Sequence, residues 1–176
     1  MKNIVTSLSI VLLFNSYLSL GQECQKVSDP FTNEPVISFE WKAGGIRTLF
    51  YESRNGKSTL EIRLGELGAV EYVIPKGSEI LFKLENGDVI KLVTVLDSRS
   101  VVSSTTINES NNMTSSTYFL KMEITGEQLK QLAKFKVSNM QIPDLHGGIQ
   151  TYGIKELRNK FERFLFEGAK CLSDII

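Results

Sequence analysis

Histidine is almost missing from this sequence: His146 is the only one in 176 residues, and Cys24 and Cys171 are the only cysteines. Those three residues cannot complete a four-ligand structural zinc site of the Cys/His type. An excess of charge is also lacking, since 20 Lys and Arg face 20 Asp and Glu. Nucleic-acid binders carry a clustered basic surplus that displaces counterions from phosphates, and polybasic membrane-surface segments need one too, so no nucleic-acid partner is expected and a polybasic membrane-surface role is disfavoured. There is no G-x-S-x-G elbow, Gly-rich phosphate loop, dinucleotide fingerprint, metalloprotease helix or calcium loop, and no cofactor or metal is expected.

What is present begins at the N-terminus. Lys2, the apolar run from Ile4 to Phe14 and the small residues Ser19 and Gly21 before Gln22 are the three parts of a secretory signal peptide, with cleavage expected between Gly21 and Gln22. The run is too short to cross about 30 Å of hydrocarbon, and Asn15 and Ser16 interrupt it, so no transmembrane anchor is expected in the mature chain. Residues 1–21 are therefore read as the leader and residues 22–176 as a single exported, β-rich domain, secreted or periplasmic. In an oxidising compartment an even pair of cysteines is most simply a disulfide, Cys24 to Cys171, stapling the mature N-terminus to the C-terminal segment.

From Val36 to Ile124 apolar residues alternate with polar ones and are punctuated by turn residues, the pattern of antiparallel strands with one buried face. Asn55-Gly56 suits a two-residue type I′ hairpin loop, and counting back from it pairs Tyr51 with Leu60, Leu49 with Ile62 and Arg47 with Leu64. Treating Asn86-Gly87 in the same way places Ile80, Phe82, Leu84, Val89 and Val93 on one face, and Leu81, Ile90 and Leu92 on the other. Further strands are expected over Val36–Lys42, Ala69–Ile74, Val101–Ile107, Tyr118–Ile124 and Lys136–Ile142, with a short extended piece before Tyr152. The Ser/Thr/Asn-rich segment Asn108–Ser115 reads as a mobile loop tip.

Thr125-Gly-Glu-Gln128 has the spacing of a capping box, and Leu129, Leu132 and Ala133 give a short helix near 126–134 its apolar side. Ile154, Leu157, Phe161, Phe164, Leu165, Ala169 and Leu172 recur at helical spacing and predict a C-terminal helix near 154–172 packed on the sheet, with Gly168 inside it. The fold class is α+β, mostly β: an antiparallel curved sheet or β-sandwich of about 8–10 strands. A closed β-barrel with a terminal helix is the alternative.

His146 lies in Pro143-Asp144-Leu145-His146-Gly147-Gly148, where Asp144 would orient it for general-base work, but no nucleophile is marked as a third member. The strand carboxylates Glu40, Glu52, Glu61 and Glu123 alternate with apolar neighbours onto the solvent face. Trp41, Phe39, Phe50, Tyr51 and Phe82 read as core aromatics, and Asn108-Glu-Ser and Asn112-Met-Thr match the N-glycosylation pattern. No catalytic residue is assigned. The reading is a monomeric, non-enzymatic exported module that binds a protein, glycan or lipid ligand. The alternatives are a small-molecule or lipid carrier with an internal cavity, and a small secreted hydrolase using His146 and Asp144.

Overall fold

A computed structural model describes residues 24–43, 46–69, 71, 73–108, 111–143, 149–153 and 160–174. In chain order its strands are β1 (Cys24–Ser28), β2 (Pro35–Ala43), β3 (Ile46–Arg54), β4 (Lys57–Leu67), β5 (Val73–Ile74), β6 (Glu79–Leu84), β7 (Val89–Thr94), β8 (Ser98–Arg99), β9 (Val101–Asn108) and β10 (Asn111–Ile124). Helix α1 (Gly126–Leu132), β11 (Val137–Pro143), β12 (Ile149–Gly153) and helix α2 (Phe161–Ser173) follow. Nine strands run β1-β2-β3-β4-β10-β7-β6-β11-β12, β9 adds a tenth by pairing with β10 beyond β7, and β5 and β8 form a separate two-stranded ladder. Every pairing is antiparallel. The two ends of the path, β1 and β12, do not pair with each other, so the barrel alternative is not the architecture.

Helix α2 packs against β2 and β3 and also against β11, although β3 and β11 lie five strand positions apart. Its 13 residues are about 20 Å long and five positions are about 24 Å, so α2 bridges strands from both halves of the sheet. The core lies between this helix and the sheet. Trp41 stacks on Phe164 with ring centroids 4.5 Å apart and meets Phe161 edge-on at 6.3 Å, and the Tyr51 hydroxyl donates to the Leu165 carbonyl at 3.0 Å. Burial pushes the Tyr51 phenol well above its ordinary pKa, which keeps it a neutral donor. Phe39, Trp41, Tyr51 and Phe82 are all core residues, as their alternation predicts, whereas Phe50 is half-buried on the opposite face.

The first hairpin has the expected register: Tyr51 pairs with Leu60 and Leu49 with Ile62. Asn55 (φ 53°) and Gly56 (φ 71°) both take positive φ, as a type I′ turn demands. The second hairpin corrects the reading. Only Gly87 has positive φ, the Gly87 amide donates to the Leu84 carbonyl and the Leu84 amide to the Asp88 carbonyl, so the loop is one residue longer and ends in a glycine bulge. That extra residue shifts the pairing to Phe82 with Ile90 and Ile80 with Leu92. A one-residue shift exchanges the faces of β7: Ile90 and Leu92 join the core, and Val89 and Val93 turn outward. The two-residue loop would have set Lys91 opposite Phe82; in the observed register Lys91 instead reaches Glu79 at 2.7 Å.

Asn108–Ser115, expected as a loop tip, is a further correction: apart from residues 109 and 110, which are not described, it belongs to the ladder of β9 and β10. Hydroxyls pair across this ladder, Ser103 with Ser115 at 3.3 Å and Ser104 with Thr114 at 3.2 Å, which supplies contacts that a loop of small polar residues would lack. The capping box forms as expected: the Gln128 amide donates to Thr125 Oγ1 (3.2 Å) and the Thr125 amide to Gln128 Oε1 (2.9 Å). Gly168 lies inside α2, against the Tyr51 and Phe39 rings. No described helix is long and apolar enough to cross a membrane.

Candidate functional site

Among the described residues, the outward face of β6, β7, β11 and β12 carries a cleft of about 340 Å³. Two irregularities in the strands create it. The glycine bulge turns Val89 outward, where it is 58% exposed beside Leu81. A second bulge in β11 separates the pairs Val137–Leu84 and Asn139–Lys83, and the Ser138 hydroxyl donates to the Lys83 carbonyl at 3.1 Å. Because of that extra residue both Val137 and Met140 face the core, three positions apart, and Asn139 and Gln141 are left to line the cleft. Bulges re-aim side chains in this way at the rims of sheets and beside binding sites.

The cleft has an apolar floor, Leu81 and Val89, and a polar wall of Lys83, Asn139, Gln141 and Thr151. Gln141 Nε2 donates to Thr151 Oγ1 at 2.9 Å, which orients the amide. Among the described residues Lys83 forms no ion pair, a state it shares with Lys57, Lys76, Lys121, Lys134 and Lys170, and it differs from them in lying beside exposed apolar side chains of a cleft with no carboxylate in its lining. Two other clefts, of about 320 and 490 Å³, include carboxylates in their linings: Lys57 and Glu123 line one, and Arg163, Lys170, Glu167 and Asp174 the other, where Arg163 pairs with Glu167. Their charges balance locally. The cleft over β6 and β11 offers an uncompensated cation above apolar surface, suited to a ligand that brings both an apolar group and a carboxylate.

Of the residues singled out in the sequence, Cys24 and Cys171 form the expected disulfide, with Cα atoms 5.6 Å apart, which ties β1 to α2. Glu40, Glu52, Glu61 and Glu123 occupy the outward face, Glu40 3.0 Å from Lys42 Nζ. Asn108 ends β9, and Asn112 lies in β10 opposite Thr106. The cleavage pair Gly21 and Gln22, and Asp144 and His146, lie outside the described residues. Among those described, no group of three or more His, Cys, Asp or Glu side chains is placed to hold a metal ion. The sequence marks none of the cleft residues as a site, and it assigns Leu81 and Val89 only to opposite faces of the second hairpin. The signal that finds them is Lys91, whose charge opposite Phe82 argues against the two-residue loop and so turns Val89 outward.

No family model, curated protein or solved structure matches this chain.

Proposed function

We propose that the protein is an exported, non-catalytic binding module whose ligand, an extended acidic peptide segment, lies across the outer cleft of β6, β7, β11 and β12. The observation that carries this reading is the unpaired Lys83 beside the exposed Val89. A carboxylate of the peptide meets the Lys83 ammonium, an adjacent apolar side chain covers Leu81 and Val89, and Asn139 and Gln141 bond to its main chain. The disulfide supports export, since such bonds persist in oxidising compartments. The aromatic filling between the sheet and α2 favours a surface site over the internal cavity of a carrier.

Short peptides that place Asp or Glu next to Leu or Phe, arrayed on a surface, provide the probe. Sequences of this class are expected to retain the wild-type protein. Lys83→Glu and Val89→Asp are each expected to weaken retention about tenfold or more, the loss of about 1.4 kcal/mol, with melting temperatures close to wild type because both side chains are exposed. Retention that is absent, or indifferent to both substitutions, contradicts the proposal.

A further inference from the structure

An open sheet has free edges, and this one treats them unequally. Edge strand β1 carries Lys26 and is tied to α2 through Cys24, and β12 has only five residues and closes on Gly153. Shortness and charge are the ordinary protections of an edge. Strand β9 has neither: its eight residues, Val-Val-Ser-Ser-Thr-Thr-Ile-Asn, include no charge, proline or glycine. Between Arg99 and Lys121 the single charged residue is Glu109. Among the described strands β9 pairs with β10 alone, which leaves its other edge without a described partner strand. Exposed apolar side chains gather on the same hairpin, with Val101 60%, Met113 44% and Phe119 40% accessible.

We infer that β9 is a dimerisation edge, pairing antiparallel with β9 of a second copy of this chain about a two-fold axis at Ser104. Antiparallel partners must have the same parity along the strand, because opposed residues both point their peptide groups at the partner or both point away. An axis at Ser104 satisfies this and sets Val101 opposite Ile107, Val102 opposite Thr106 and Ser103 opposite Thr105. In that register β-branched residue types meet at Val101–Ile107 and Val102–Thr106, and the strand holds no charge to meet its like. The strand is self-complementary, as a two-fold contact requires. This departs from the monomer expected from the sequence, and it rests on a different part of the sheet from the ligand cleft.

Sedimentation velocity of the full chain, produced in an oxidising compartment with its disulfide formed, tests this over a wide concentration series. The wild type is expected to shift from the mass of one copy to that of two, with little response to added salt because no charges are paired. Ser104→Lys, which sets two ammonium groups against each other, is expected to stay monomeric. Ser104→Glu is expected to do the same, and mixing the two variants to restore a dimer. Ser104 is exposed and its hydroxyl contact is to Thr114, so melting curves of both variants should stay near wild type. Their recovery on mixing separates lost pairing from lost folding. A wild type that remains monomeric throughout overturns the inference, whether or not its edge accepts a strand from another protein, and so does a Ser104→Lys variant that dimerises like the wild type.

Discussion

Replacing Gly168 by alanine should destabilise the fold, although alanine is the better helix former. Alanine is worth about 1 kcal/mol over glycine in a helix interior, and Gly168 sits well inside α2. A Cβ at this position, however, would lie 2.5 Å from Cε2 of Tyr51 and 2.8 Å from Cδ1 of Phe39. Neither ring has room to yield: Tyr51 is fully buried, its hydroxyl is held by the Leu165 carbonyl, and Phe39 is 3% exposed. Overpacking a well-filled core costs about 1–3 kcal/mol, and the upper end applies where the neighbours are pinned. The net effect is a loss of about 2 kcal/mol, or roughly 4–8 °C in melting temperature for a domain of this size. Thermal unfolding followed by circular dichroism measures it. Gly126→Ala is the control, because nothing lies within 4 Å of that Cβ and its φ is not positive; it should be neutral or stabilising by up to about 1 kcal/mol. A Gly168→Ala variant that melts at or above the wild-type temperature would refute the close approach of α2 to β3.

Two further tests concern stability, and the cleft and edge variants described above complete the set. Removing the disulfide by Cys24→Ser with Cys171→Ser opens a loop spanning 147 residues and should cost about 2–5 kcal/mol, read as the shift in a urea unfolding midpoint. The turn after β1 gives a pH signature. Asp29 Oδ1 accepts the amides of Phe31 (2.9 Å) and Thr32 (3.1 Å), and Arg54 Nη1 lies 3.3 Å from Oδ2. The Phe31 and Thr32 amides first, and Arg54 after them, hold the Asp29 carboxyl below its usual range. A lowered carboxyl contributes stability above its unfolded pKa of about 4 and loses it as pH falls through its lower folded value. The wild type should therefore melt above Asp29→Asn at about pH 6, and the gap should close as the pH is taken well below 4; a gap that does not change with pH would contradict the assignment.

The parts of the fold that were legible in the sequence are those in which one local rule dominates. Asn55-Gly56 permits both positive φ values at once, so the turn and the alternation of Leu49, Tyr51, Leu60 and Ile62 agree on one register. Thr125 and Gln128 bond each other's amides and need no tertiary information. Asn86-Gly87 looks the same in sequence, but Gly87 alone takes positive φ, and the side-chain pattern of β7 fits either face until Lys91 is weighed. Strand β1 escaped notice because none of its five residues is buried and no periodicity marks it. The outer cleft was hidden for a related reason: it is built from two bulges, and a bulge changes which residues face outward without changing the composition of a strand. Gly168 was legible as an interior helical glycine, but the rings it accommodates come from strands more than 100 positions earlier.

The proposed binding surface is the outer face of β6, β7, β11 and β12. Amide-resolved NMR titration of the isotopically labelled full chain with an acidic-apolar peptide retained on the array tests it most directly. Saturable shifts centred on Leu81, Lys83, Val89, Asn139, Gln141 and Thr151 are expected, and are lost in Lys83→Glu. Shifts centred instead on Asp144 to Gly148 around His146, or on residues facing α2 in the core, would contradict it.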